Sequence, residues 1–247
     1  MKGAQQGTLY GIGLGPGDPE LVTLKAARLI AAAPVFAHFR KRGRPGHART
    51  IAASLLSAHA LETAFEYPVT TETGFHEATY IDAIREFYSQ SAATLMHHLD
   101  GGQDVALLCE GDPFFYGSFL HMYDRIKQSH RVVVVPGITG MSGCWTAAGA
   151  PVTYGDDVMT VLPGTLERDD LIARLKTTDA AVIMKVGSNL EKIRAAIDAA
   201  GRLGEAIYVE RATMQGEKIM PLAALGPNAA PYFSIILVPG GHGRRII

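Results

Sequence analysis

Apolar residues occur along this chain in short blocks divided by glycine- and proline-rich turns, and the blocks alternate in period. Thr8 to Leu14 is an apolar segment, followed by the loop Gly15-Pro-Gly-Asp-Pro-Glu20 and then an Ala/Leu-rich stretch, Leu21 to Ala33. In that stretch Leu21, Leu24 and Arg28 fall at helical spacing, and Asp18, Pro19 and Thr23 are start signals for a helix. Strand, glycine loop and helix open a βα unit. The same alternation predicts strands at Pro34–Phe39, Leu61–Tyr67, Asp104–Cys109 and Arg131–Val135, with helices at Arg49–Ser57, Phe75–Leu99 and Gly117–Gln128. Val132 to Val135 is an unbroken β-branched run, which predicts a strand covered on both faces.

Gly137 to Ala148 is rich in small residues and suits a helix, and the following 149–157 carries the Pro, Gly and Asp of a connection. Beyond it the pattern predicts strands at Val158–Leu162, Ala180–Lys185, Ala206–Glu210 and Tyr232–Val238, with helices at Asp169–Lys176 and Leu190–Ala200. There is no low-complexity segment and no repeat of fixed period. The expectation is two tandem α/β domains, residues 1–152 and 153–247, with a ligand in the cleft between them.

Composition narrows the class. With 47% hydrophobic and 19% charged residues in 247, a core is assured and disorder is excluded. A net charge of -1 gives no warrant for a nucleic-acid partner. No apolar run reaches the roughly 20 residues of a membrane span, and Met1 to Gly7 lacks the apolar stretch of a secretory signal, so a cytoplasmic protein is expected. Cys109 and Cys144 make no disulfide framework and read as buried spacers.

Three loops carry the candidate chemistry. Gly11-Ile-Gly-Leu-Gly-Pro-Gly-Asp-Pro19 lets backbone approach a ligand closely, because glycine has no Cβ. It is neither a dinucleotide fingerprint, since Pro16 and Asp18 stand where the third glycine would be, nor a P-loop, since Gly-Lys-Ser/Thr is missing. Asp18 would repel a phosphate, so a phosphate-free ligand is favoured. Glu110-Gly-Asp-Pro-Phe-Phe-Tyr-Gly117 follows a second strand and sets carboxylates and aromatics at its end; Pro136-Gly-Ile-Thr-Gly140 follows a third. No Gly-x-Ser-x-Gly or His-Glu-x-x-His occurs, adjacent His97 and His98 point apart on a helix, and no metal is expected. Arg40-Lys-Arg-Gly-Arg-Pro-Gly-His47 is a basic loop, ordinarily just solvated, that also suits a polycarboxylate.

Together the three loops, in this order, resemble the tetrapyrrole methylases, which transfer a methyl group from S-adenosyl-L-methionine to uroporphyrinogen and the precorrins. The resemblance runs over nearly the whole chain and implies two α/β domains with the cofactor in the interdomain cleft. Glu110-Gly-Asp-Pro, the stretch Arg42-Gly-Arg-Pro-Gly-His-Ala-Arg-Thr-Ile-Ala52 and the segment Val209-Glu-Arg-Ala-Thr-Met-Gln-Gly-Glu-Lys-Ile219 resemble the C20 branch, implying a precorrin-2 substrate. Carried over position by position, the resemblance places Pro16, Glu110, Gly111, Asp112, Phe115, Thr139, Gly140, Val186 and Ala212 against the cofactor. Glu110 stands where the family usually has Gly, Val186 where many members have Met, and Ala212 where others have Gly.

Glu110 and Tyr116 are the candidates to accept the proton that C20 loses, and Arg40, Arg42, Arg44 and His47, with Lys41 and Arg49, are candidates to hold the substrate carboxylates. A homodimer is implied as well. Three alternatives stay open: a cobalt-bearing substrate, a non-catalytic tetrapyrrole carrier, and a methylase of the same fold that acts on a protein.

Overall fold

Why the first half of the chain forms a sheet with helices on both sides is visible in the alternation of its strands. The computed structural model describes residues 6–68, 78–227 and 230–241. In β4 (Val105–Cys109), Val105, Leu107 and Cys109 face one buried cluster while Ala106 and Leu108 face another. Both faces are therefore apolar, as a parallel sheet needs. The first cluster takes in α3 (Ala78–Asp100) and α4 (Phe119–Ile126), the second α1 (Leu24–Ala32) and α2 (His47–Ile51). With β1 (Thr8–Gly13), β2 (Val35–Lys41), β3 (Leu61–Tyr67) and β5 (Arg131–Val135), the five parallel strands lie in the order β3-β2-β4-β1-β5.

Parallel pairing puts the carboxyl ends of all five at one edge. Gly13 of β1 stands opposite Cys109 of β4, and Ile12 opposite Val135 of β5, so three strands finish side by side. The glycine loops begin there.

The chain divides by its internal contacts into residues 1–139 and 140–247. The division falls ahead of the expected boundary at 152 because α5 (Gly140–Ala147) packs Cys144, Met141 and Trp145 against Val182, Val209 and Leu237 of the second sheet. That sheet holds β6 (Met159–Pro163), β7 (Ala180–Met184), β8 (Ile207–Glu210), β9 (Lys218–Pro221) and β10 (Ser234–Val238) in the order β6-β7-β10-β8-β9. Of its strand pairings among the described residues, β6–β7 is parallel and the others are antiparallel. Its other face is covered by α6 (Arg168–Thr177) and α7 (Leu190–Ala199).

Three local expectations are corrected. The Val132–Val134 run is half-buried rather than covered on both faces, because β5 is an edge strand. The strand β9 was not expected, since its exposed Lys218 and Ile219 give no buried period. Helix α1 begins at Leu24 instead of Leu21: Thr23 Oγ1 accepts from the Ala26 N–H at 3.1 Å, while Asp18 caps a separate turn at Pro19–Leu21 by accepting from the Glu20 N–H at 2.8 Å. The expected start of the long helix at Phe75 lies outside the described residues.

Candidate functional site

Each of the three glycine loops continues a strand of the first sheet, and each is fastened to its neighbour. Leu14 N–H donates to Cys109 O at 2.9 Å, Gly111 N–H to Gly15 O at 2.8 Å, and Gly15 N–H to Gly111 O at 3.3 Å, so the first two loops run on as a short antiparallel pair. Gly15 and Gly111 have φ of 80° and 63°, in the left-handed region that glycine occupies at least cost. The third loop is tied in through Asp112, whose Oδ2 accepts from Gly137 N–H at 3.1 Å while Oδ1 accepts from Phe114 N–H at 2.9 Å.

Backbone approach explains the glycines. A Cβ on Gly13 would lie 2.4 Å from Gly137 N, and one on Gly137 would lie 2.1 Å from Gly111 O. The strand ends are closer together than any side chain permits. Pro16 is buried in this junction, Thr139 closes the third loop, and Gly140 is the first residue of α5.

The aromatics divide. Phe114 packs its ring against Tyr123 and Phe119 of α4, at centroid separations of 5.0 and 5.9 Å. Phe115 and Tyr116 lie edge to face at 4.9 Å, and Tyr116, 48% exposed, holds a φ of 55°, unusual for a non-glycine residue. Glu110 points its carboxylate at α2, where Oε1 accepts from Ala48 N–H at 3.0 Å.

The cysteines are buried and unbridged. Burial, with Glu110 and Asp112 adding to it, pushes the Cys109 thiol well up; burial and Glu217 push Cys144 up to about 12. Neither behaves as a nucleophile at neutral pH.

The basic segment leaves β2 toward α2, and strand β3 supplies carboxylates beneath it. Arg40 Nη2 lies 2.8 Å from Glu66 Oε1, Arg42 Nε 4.0 Å from Glu66 Oε2, and Arg49 Nε 3.3 Å from Glu62 Oε1. Arg42 keeps 82% of its side chain in solvent, and Arg44 and His47 are exposed. Burial raises the Glu62 carboxyl, but hydrogen bonds from His38 and Arg49 outweigh it and hold the group below the usual range. His38, fully buried beside Glu62, gave no signal in the sequence, where it looks like one more strand residue.

In the second unit, Ile236 of β10 pairs with Ile183 of β7 on one side and Tyr208 of β8 on the other. Both strands are antiparallel to β10, so β7 and β8 run in the same direction and end at the same sheet edge. Val186 and Ala212, both buried, follow those ends, beside Lys185 and Arg211 at φ of 56° and 51°. Among the described residues no helix is long and apolar enough to cross a membrane, and no cluster of metal-ligating side chains occurs.

A five-stranded parallel sheet whose glycine loops meet at one edge, joined to a mixed five-stranded sheet, defines a class, and the chain belongs to the Tetrapyrrole (Corrin/Porphyrin) Methylases, whose family model matches residues 8–225. Among its relatives, the precorrin-2 C(20)-methyltransferase of a Sinorhizobium species is 49% identical over 244 residues, covering 99% of this chain and 100% of that one. The cobalt-precorrin-2 C(20)-methyltransferase of Salmonella typhimurium is 26% identical, covering 94% of this chain and 96% of that one. In fold, the chain is similar to the uroporphyrin-III C-methyltransferase of Thermus thermophilus solved with S-adenosylhomocysteine, with a TM-score of 0.65, 23% identity, and 94% and 92% of the two chains covered. That likeness agrees with the two α/β units expected.

Proposed function

We propose that this protein transfers a methyl group from S-adenosyl-L-methionine to C20 of precorrin-2, giving precorrin-3A in cobalamin biosynthesis. The observation that carries the reading is the junction of the three glycine loops, pinned together by the Gly15–Gly111 pair and the Asp112–Gly137 hydrogen bond at the carboxyl edge of the first sheet. Full-length identity of 49% to a precorrin-2 C(20)-methyltransferase supports the substrate and the position, and the 26% identity to a cobalt-precorrin-2 enzyme favours the metal-free form.

The loops suit this methyl donor chemically. Asp18, Glu110 and Asp112 are acidic, and segments 15–20, 110–117 and 136–140 contain no Lys or Arg. Such a rim favours a cationic ligand without phosphate. When bound, S-adenosyl-L-methionine supplies an activated methyl group on a sulfonium. Pro16, Gly111, Asp112, Phe115 and Thr139, with Gly140, Val186 and Ala212 of the second unit, are the residues that hold it in this reading. The protein's own share is to orient the reacting carbon, an effect worth up to about 7–11 kcal/mol.

Arg42, Arg44 and His47, with Arg40 braced by Glu66, are the proposed partners of the tetrapyrrole carboxylates. Tyr116, exposed at the loop tip, is the proposed acceptor of the C20 proton; the Glu110 carboxylate is engaged by Ala48. A homodimer, implied by the family resemblance, and a cytoplasmic location, which the two unbridged cysteines fit, belong to the same proposal.

The experiment is incubation with S-adenosyl-L-methionine and precorrin-2, with and without cobalt, followed by mass and NMR analysis of the product. Methylation at C20 of the metal-free tetrapyrrole is expected. Turnover of the cobalt form alone moves the protein to the other branch, and tetrapyrrole binding without turnover makes it a carrier.

A further inference from the structure

We propose that Glu110 is a positioning residue that clamps the basic segment 41–47 to the donor-binding loops, and not the group that takes the proton from C20. The proposal rests on the functional reading above and deepens it.

Its logic starts at His38. This ring is fully buried on β2, with Nε2 3.0 Å from Glu62 Oε1 on the neighbouring strand. A Cβ at position 46 would lie 2.4 Å from His38 Nδ1 and 3.0 Å from Phe39 O, so only glycine fits there. Gly46 is also the residue that precedes α2, and with no side chain it supplies no cap to the helix. The first amides of a helix have no acceptor within it. Ala48 is 1% exposed, so water does not serve its N–H either. The acceptor is instead Glu110 Oε1, 62 positions away in the chain.

Glu110 adjoins Gly111, whose backbone pairs with Gly15, and Asp112, which holds Gly137. The segment that ends at α2 is thereby attached to the junction of the glycine loops. Its beginning is held separately by the Arg40–Glu66 pair, with Arg42 alongside. Segment 41–47 is fixed at both ends, and Arg44 stands exposed between them. One side chain joins the loops assigned to the methyl donor to the segment assigned to the tetrapyrrole.

The two roles for Glu110 make opposite demands. An acceptor for Ala48 N–H needs only a carbonyl-type oxygen, which glutamine retains; a proton acceptor needs the carboxylate. At saturating S-adenosyl-L-methionine, E110Q is expected to lose less than about tenfold in kcat, to keep the pH profile of wild type, and to hold the KM for precorrin-2 well below that of E110A. E110A is expected to raise that KM about tenfold, with kcat within a few-fold, because a buried N–H loses its partner. Loss of a hundredfold or more in kcat in E110Q overturns the proposal, as does an E110A enzyme with wild-type KM. Limited trypsin digestion without substrate gives a second readout: cleavage after Lys41 or Arg42 is expected to be about tenfold faster in E110A than in wild type or E110Q. Equal rates in all three overturn the clamp. Should E110A not fold, E110Q alone decides by its kcat and pH profile. If wild type fails to methylate precorrin-2, the functional reading fails while the digestion still tests the clamp.

Discussion

Replacing Gly137 by alanine tests whether the glycine loops are held at the separation the candidate site needs. The new Cβ would lie 2.1 Å from Gly111 O, 2.8 Å from Gly13 C and 2.9 Å from Gly13 Cα. All three are backbone atoms, so no side chain can swing aside, and the ends of β1, β4 and β5 must separate by about 1 Å to restore ordinary contact. Overpacking of this kind costs typically about 1–3 kcal/mol. Weakening the Gly111–Gly15 and Gly137–Asp112 hydrogen bonds, at 2.8 and 3.1 Å, adds about 1 kcal/mol each at most. A loss of about 3 kcal/mol follows, which for a chain of this size lowers Tm by about 6–12 °C. Circular dichroism on heating measures it, and calorimetric titration with S-adenosylhomocysteine is expected to show Kd weakened at least about tenfold. Gly204→Ala is the control, since an added Cβ there has nothing within 4 Å; its effect is expected to stay within about 0.5 kcal/mol. G137A with the Tm and Kd of wild type refutes the reasoning.

Alanine at Arg42 or Arg44 is expected to raise the KM for precorrin-2 severalfold each while leaving the Kd for S-adenosylhomocysteine unchanged; unchanged KM in both removes the basic segment from the substrate site. Asp112→Asn leaves one acceptor oxygen where Gly137 and Phe114 now each have their own, and is expected to cost about 1–3 kcal/mol in urea unfolding, with an unaltered midpoint counting against the lock. Cys109 and Cys144 are expected to resist a thiol reagent at pH 8 until the protein unfolds: with Cys144 pushed up to about 12, about one molecule in ten thousand carries its thiolate. A thiol whose pKa is raised by folding stabilises the fold while protonated. That contribution is complete below the unfolded value of about 8.5 and is lost as pH rises toward 12, so the urea midpoint is expected to fall across that interval, less steeply in Cys144→Ala.

Much of the first unit was legible along the chain because its signals are local. The apolar run of β4 and the glycine clusters at strand ends need no knowledge of partners and drew attention to the three loops, while Pro16, Glu110–Asp112 and Thr139 were placed against the cofactor by the family resemblance. Pairing is different. Whether the valines of β5 are covered depends on which strand lies beside them, and β5 is at the edge. The strand β9 exists because β8 offers it a ladder, from Ile207 opposite Pro221 to Glu210 opposite Lys218, although its own exposed pattern gives no sign of it. Helix α5 follows the first sheet in sequence yet belongs to the second core, because its Cys144 and Trp145 find their apolar surface there.

The chain alone determined that there would be an alternating α/β architecture and where its turns would fall, and it led to the expectation of a phosphate-free ligand at the glycine loops. Periodicity, glycine's missing Cβ and the sign of a side chain's charge are properties of neighbouring residues, and they read directly. Tertiary structure decided that Asp112 spends its carboxylate on Gly137, that Glu110 caps a helix 62 positions away, and that the buried His38 ring obliges residue 46 to be glycine. Those facts depend on hydrogen-bond acceptors and volumes brought together only when the strands align, and no local pattern encodes a partner that distant.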